Sequence, residues 1–325
     1  MPGLVISLVS LAIAFYFVDF RKLIEALQKA NYIYISLGVV ISLLWLFVRG
    51  MVWRTLLQEK ASYKDVFYSI NEGYLLNNVL PLRLGEVGRS FLLSRKARLG
   101  FWEVFSTIII ERALDVAFAA GLLLITLPFV VGAAWAKQAA IGTGSLVLVG
   151  LIVLYLVARN QALALHLFER LSNRIPILKR IAGNVLETFL SGLSILTNPA
   201  RFLAAVFWVS VDWILGILQY YVLLKAFFPQ ATVLISVFCL GASSMGIAAP
   251  SSPGAVGVFE LTIVAALSLF KFDASVSLAF AFVAHILNYL FTGIIGAYAL
   301  TREGETLSGI YKSARGILSK EKQPE

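Results

Sequence analysis

Six stretches of the chain are apolar runs of about span length: residues 3–20, 32–53, 104–131, 140–158, 202–224 and 274–300. An α-helix rises ~1.5 Å per residue, so crossing ~30 Å of hydrocarbon takes ~20 apolar residues. Each run is therefore predicted to be a transmembrane helix. The first contains Ala12-Ile13-Ala14, which imitates a signal-peptide cleavage site, but no basic segment precedes it. It reads as an uncleaved first span.

Two further apolar stretches are interrupted. Residues 66–82 contain Asn71, Glu72, Asn77, Asn78 and Pro81, and residues 232–270 are broken at their centre by Pro250-Ser251-Ser252-Pro253-Gly254. Both read as re-entrant hairpins entering from opposite faces; for the second, two full spans with a tiny loop is the alternative. The two breaks echo each other at an offset of about 172 residues, half the chain, each with a Pro-x-x-x-Gly spacing followed by an acid. Broken apolar segments at matching places in two halves suggest an inverted repeat. Residues 161–201 differ again. Leu163, Leu167 and Leu171 recur at helical spacing, with Arg170, Arg174, Lys179 and Arg180 around them. This is an amphipathic helix in the interface followed by a linker, or else a soluble helical hairpin.

Composition supports this picture. Of 325 residues, 59% are hydrophobic and 14% charged, with mean hydropathy +0.86, against ~45–50% and ~25% in soluble proteins. Soluble, disordered and disulfide-rich secreted classes are excluded, and Cys239 is the sole cysteine. The net charge of +9 does not indicate nucleic acid, because the basic residues gather in alternate connections. Residues 83–103, 159–201 and 301–325 carry five, six and five Lys/Arg, whereas 132–139, 225–231 and 271–273 carry one each. The rich connections face the cytoplasm. The expected organisation is one membrane domain over 1–325. It comprises a first half (1–160), a cytoplasmic amphipathic helix and linker (161–201), a second half (202–301) and a basic tail (302–325) against anionic headgroups.

Candidate chemistry lies at the breaks. Pro81, Pro250 and Pro253 stop the preceding helix, and near Gly85 and from Gly254 to Gly257 the backbone can present N–H groups to an anion; plain loops are the alternative. Arg83, Glu86 and Arg89 fall three apart and share a helix face. The two arginines suit a phosphate, or serve as positive-inside anchors as Arg95, Lys96 and Arg98 do. Glu111-Arg112-Ala113-Leu114-Asp115 lies within an apolar span, where an ion costs ~2.5–3.5 kcal/mol and needs partners. A buried cluster of Glu111, Arg112 and Asp115 is expected, as a functional group or a structural clamp. Glu86 and Glu260 are expected to orient the arginines and to exchange protons. Asp212, His285 and Asn288 are further polar residues in apolar spans. Two histidines and one cysteine make no metal site, and no Walker A or Gly-x-Gly-x-x-Gly sequence occurs, so no cofactor or metal is expected.

Three ordered motifs, Leu76-Asn77-Asn78-Val79-Leu80-Pro81-Leu82-Arg83-Leu84-Gly85-Glu86-Val87-Gly88-Arg89, Glu111-Arg112-Ala113-Leu114-Asp115 and Pro250-Ser251-Ser252-Pro253-Gly254-Ala255-Val256-Gly257-Val258-Phe259-Glu260, resemble one family. It is the flippase-like membrane domain of lysylphosphatidylglycerol synthases, which also occurs as stand-alone membrane proteins in bacteria and archaea. The resemblance implies an all-α, multi-pass cell-membrane protein of about six spans plus two re-entrant hairpins. It also implies translocation of a phospholipid or polyprenyl-phosphate lipid between leaflets. Arg83, Glu86, Arg89, Arg112, Gly254, Gly257 and Glu260 would then meet the headgroup. The alternative is a lipid-linked glycosyltransferase or an accessory lipid-binding subunit in envelope lipid or glycan synthesis. Synthase activity is not expected. The implied partners are membrane lipids, not nucleic acid, and a homo-oligomer or a lipid-modifying enzyme partner is compatible with that reading.

Overall fold

A computed structural model describes residues 2–16, 18–80, 84–130, 134–174, 176–248, 252–304 and 309. Pro81, Arg83 and Pro250 lie outside the described residues. Thirteen α-helices follow one another, with no strand among the described residues. They are α1 (Pro2–Tyr16), α2 (Phe20–Lys29), α3 (Tyr32–Leu56), α4 (Tyr63–Val79), α5 (Leu84–Ala97), α6 (Phe101–Thr126) and α7 (Ala134–Arg159). There follow α8 (Gln161–Arg174), α9 (Pro176–Leu193), α10 (Pro199–Phe227), α11 (Val233–Ala248), α12 (Val258–Ser268) and α13 (Ala274–Arg302). The expected all-α membrane fold holds.

Helix starts follow local chemistry. Asp19, Asn31, Ser62, Asn198 and Asp273 cap α2, α3, α4, α10 and α13, each side chain accepting a first-turn backbone N–H. Such caps satisfy donors that no carbonyl of the helix can reach.

Only α3, α10 and α13, among the described residues, are long and apolar enough to span alone. α6 has the length but carries Glu111, Arg112 and Asp115. The expected span at 3–20 is instead the 15-residue α1, about 22 Å of helix at 1.5 Å per residue. It stops before Asp19 starts the amphipathic α2, whose Leu23 is buried against Val264, Leu278 and Ala279. α7 meets α8 at a bend of 92°. The expected linker after α8 is a helix, α9, which packs on both α8 and α6. Leu163 and Leu167 on α8 stay exposed, as an interfacial face requires.

Two units share one plan: span, helical hairpin, span. α3, α4–α5 and α6 make the first, beginning at Tyr32, and α10, α11–α12 and α13 make the second, beginning at Pro199. Their packing is reciprocal. α3 lies along α10, α6 packs on α11, and α13 packs on α4. This is the pattern of a pseudo-two-fold axis between α3 and α10. The repeat therefore leaves out α1–α2 and α7–α9, and its units are narrower than the two sequence halves.

The hairpins enter from opposite ends of α13. On α4, Tyr68 lies against Tyr298 and Arg302 near the C-terminal end of α13, while Asn78, a few residues before the break, bonds Thr292 at 3.4 Å. α12 starts beside His285 and runs to the N-terminal end of α13, where Asp273 caps that helix. The 3-10 turn Pro253–Ala255 packs against α4, so both breaks meet near the mid-length of α13. Intimate backbone approach holds the first hairpin: a Cβ on Gly85 would stand 2.0 Å from the Gly73 carbonyl oxygen.

Gly293 and Gly296 of α13 give a matched test of this packing. A Cβ at Gly296 would lie 2.5 Å from the Asn71 carbonyl oxygen on α4, and one at Gly293 meets nothing within 4 Å. Overpacking costs ~1–3 kcal/mol, while Gly→Ala in a helix otherwise gains ~0.8–1. Gly296→Ala is expected to lower the thermal midpoint in detergent, and Gly293→Ala to leave it unchanged or raise it.

Candidate functional site

Four helices converge on a buried ion cluster. Arg49 on α3 contacts Glu111 through Nη2, Asp115 Oδ2 at 2.6 Å and Asp212 Oδ2 at 3.2 Å. Arg112 bonds Glu111 as well, reaches Asp115 Oδ2 at 3.1 Å, and lies 3.7 Å from Glu86 on α5. Arg89, also on α5, stands 3.2 Å from Glu111 Oε2 with its guanidinium 4.6 Å over the Trp53 ring. The side chains of Arg49, Arg89, Glu111 and Asp212 are at most 5% exposed, whereas Arg112 is 33% and Glu86 22% exposed. A buried pair repays its desolvation only with tight geometry and several partners. Here one carboxylate, Glu111, takes three guanidinium groups, and one guanidinium, Arg49, takes three acids. Arg89 meets Glu111 as an ion pair only, and neither of its Nη atoms makes a hydrogen bond.

The structure thus brings Glu86, Arg89, Glu111, Arg112 and Asp115 together. Arg49 and Asp212 complete the cluster. Arg49 falls within the predicted span 32–53, where Met51, Val52 and Trp53 continue the apolar run beyond it. That continuation was the signal placing it inside the membrane. Lys96 has acid partners within the protein: its ammonium bonds Glu72 Oε2 and Glu303 Oε1, each at 2.7 Å, tying α4 and α5 to the C-terminal end of α13.

Glu260 and the second break are organised separately. Among the described residues Glu260 contacts no arginine. Its Oε2 accepts the Gly257 N–H at 2.7 Å, capping α12, and its Oε1 lies 2.5 Å from His285 Nδ1 on α13. The Gly257 N–H is thereby taken by its own helix rather than offered to an anion. Gly254, at φ 68°, turns the chain so tightly that a Cβ there would overlap the Tyr289 hydroxyl. Its carbonyl receives His285 Nε2 at 3.1 Å. At the first break the Gly85 N–H is taken by Asn77 Oδ1 at 2.8 Å. The Gly85 and Gly257 donors are thus each satisfied from within their own hairpin, as hydrocarbon demands.

The two units carry different chemistry at matching places. Glu86 and Glu260 are each the third residue of the helix after a break, and each faces a base on the following span, Arg112 or His285. Across the α3–α10 contact, Arg49 meets Asp212 on one side of the axis, and Gln219 Nε2 donates to Ser42 Oγ at 2.7 Å on the other. The ionic half has a neutral counterpart, in which Ser42 and Gln219 line a small cavity with Asn288 and Thr292.

These features define a class: a multi-pass helical membrane protein of two inverted span–hairpin–span units around buried charge. Within that class the chain belongs to the family described as the lysylphosphatidylglycerol synthase TM region, matched over residues 2–296. It is similar to a UPF0104 membrane protein of Methanocaldococcus jannaschii, at 23% identity across 91% of this chain and 93% of that one. A UPF0104 membrane protein of Methanothermobacter thermautotrophicus is 23% identical across 94% and 96%. Glycosyltransferase AglD of Haloferax volcanii is 22% identical across 80% of this chain but 47% of its own length. No solved structure gives a significant match. The protein is a multi-pass membrane protein of the cell membrane.

Removing one partner from a buried ion group costs ~3–5 kcal/mol. Arg49→Met is expected to lower the thermal midpoint of the purified protein strongly, and adding Asp212→Asn to recover part of the loss. Arg170→Ala, on an exposed stretch of α8, is expected to change nothing.

Proposed function

We propose that the protein moves a phosphate-bearing lipid, of phospholipid or polyprenyl-phosphate type, between membrane leaflets. One observation carries the reading. Two broken hairpins enter from opposite faces and meet at mid-length of α13, and Arg89, one and a half turns into α5 from the first break, is a buried guanidinium whose Nη atoms make no hydrogen bond, its contact with the Glu111 carboxylate standing at 3.2 Å. A charged headgroup entering hydrocarbon alone meets a large desolvation penalty. A guanidinium already held in place offers bidentate bonds to phosphate without reorganising first. Arg112, the most exposed of the three cluster arginines, is the second contact, and Glu86 holds it toward the break. The acyl or prenyl chains stay in the bilayer while the head passes the hairpin tips. Inverted units give such a path two related states, one open to each face. In this reading the protein is not itself an enzyme, and its partners are anionic membrane lipids.

A second reading draws on the glycosyltransferase relative, which matches over about half of its length. The same fold then binds a lipid-linked sugar carrier for a separate enzyme.

Reconstituted leaflet transfer separates the two. With fluorescent phospholipids and polyprenyl phosphates in proteoliposomes, wild type is expected to transfer at least one class. Arg89→Gln and Gly254→Leu are expected to lower that rate about 10-fold or more, the effect of losing a charge-assisted bond of ~1.5–3 kcal/mol. Arg170→Ala is expected to transfer at the wild-type rate. Tight, saturable binding of the lipid without transfer by folded wild type supports the second reading and removes the first.

A further inference from the structure

The His285–Glu260 pair contains a proton count. His285 Nε2 faces the Gly254 carbonyl oxygen at 3.1 Å, and a carbonyl only accepts, so Nε2 carries hydrogen. A neutral imidazole bearing that hydrogen has a bare lone pair on Nδ1. Yet Nδ1 stands 2.5 Å from Glu260 Oε1, and the other carboxyl oxygen, Oε2, is already accepting the Gly257 N–H at 2.7 Å. Two lone pairs do not sit at 2.5 Å. One proton more than neutral histidine and ionised glutamate possess must lie between Nδ1 and Oε1, on either atom.

We propose that His285 and Glu260 form a proton-binding site that clamps the α11–α12 hairpin onto α13. With the proton present, His285 holds two points of the second break at once: the Gly254 carbonyl in the 3-10 turn and, through Glu260, the first turn of α12. When the proton leaves, one N–H cannot serve both. Keeping it on Nε2 sets the Glu260 carboxylate against the Nδ1 lone pair; moving it to Nδ1 sets the Nε2 lone pair against the Gly254 carbonyl. Either way the tip loses a contact where it packs on α4. The clamp is peculiar to the second unit, because the matching base in the first is Arg112, which keeps its charge at every physiological pH.

Nothing else charged crowds the pair among the described residues. α1 and α11, which pack on α12, carry no Asp, Glu, Lys, Arg or His; their titratable groups are Tyr16 at the end of α1 and the buried Cys239. On α4, Glu72 is occupied by Lys96, and on α10, Tyr220 bonds Ser243. On α3, Arg49 is held by its three acids. The charged groups of α2 lie at the far end of α13, where Lys22 is 3.8 Å from Asp273. On α13 itself, the Tyr289 ring lies tilted against His285 with ring centroids 4.6 Å apart. The proposal needs no assumption about cargo.

The chain has two histidines, so His166→Gln leaves one imidazole to observe. In the full chain, labelled with 15N-histidine in lipid nanodiscs, Nε2 is expected to stay protonated while the site gains one proton in a single step as the pH falls. A nitroxide at Val256→Cys in a Cys239→Ala background is expected to become more mobile as that proton leaves, with the same midpoint. Two variants should lose this pH dependence in opposite directions. Glu260→Gln keeps the cap and supplies an N–H to Nδ1, so its nitroxide is expected to stay immobile throughout. His285→Ala removes both contacts, so its nitroxide is expected to be mobile throughout. The proposal is overturned if neither Nδ1 nor the Glu260 carboxyl takes up a proton over the pH range in which the protein stays folded, or if Glu260→Gln retains the wild-type mobility profile.

Discussion

A guanidinium cannot sit alone in hydrocarbon, and the interior of this protein is arranged around that constraint. Arg49 lies within a 25-residue apolar helix, nearly inaccessible, and its charge is shared among acids of two other helices. Glu111 in turn draws in Arg89 from the first hairpin and Arg112 from its own span. α3, α5, α6 and α10 are thus fixed to one another by charge at a single level of the bundle, where apolar contact alone lets helices slide. Between lipid-embedded helices there is little hydrophobic drive to associate. Register must therefore come from polar contacts and close backbone approach, and the cluster and the hairpin glycines provide both.

The same requirement explains why the two breaks are tolerated. An interrupted helix leaves N–H and C=O groups that lipid cannot satisfy, so the interruption must be lined by protein. Asn77 serves the first break and Glu260 the second, each from the hairpin that contains it. The side chains that interrupt apolar residues 66–82 are thus the ones that make the interruption affordable. Asn71 accordingly bonds the Phe67 carbonyl, and Glu72 is neutralised by Lys96.

Much of this was legible in the sequence. The two broken segments, their Pro and Gly positions and the acid that follows each one marked both hairpins, because these residues have local reasons to stop and restart a helix. The charges at 111–115 were equally visible, being ions inside an apolar run. The convergence of α5 on α6 was not, since it depends on helices distant in the chain. Arg49 was missed because a charge near the end of an apolar run resembles an ordinary flanking residue. The pairing of Lys96 was not legible because the buried acid it serves, Glu72, lies on another helix and was read only as an interruption. The end of α1 was misplaced because apolar residues continue past Tyr16 while the capping side chain, Asp19, is a single short residue.

Pseudo-symmetry with unequal chemistry has a mechanical consequence. If both units carried the same groups, the arrangement described here and its two-fold-related counterpart would have equal energy, and the protein would favour neither face. The Arg49–Asp212 contact has a neutral counterpart in Ser42–Gln219, and Glu86–Arg112 has a titratable one in Glu260–His285. Charge thus locks the first unit, and hydrogen bonding holds the second more lightly. A hydrogen-bonded contact of ~1 kcal/mol yields to small perturbations, whereas a buried ion group worth several does not. The α4–α5 hairpin is thus tied to its neighbours by charge, through Arg89 and Lys96, whereas the polar ties of the α11–α12 hairpin among the described residues include those through Ser243, Gly257 and the Glu260–His285 pair.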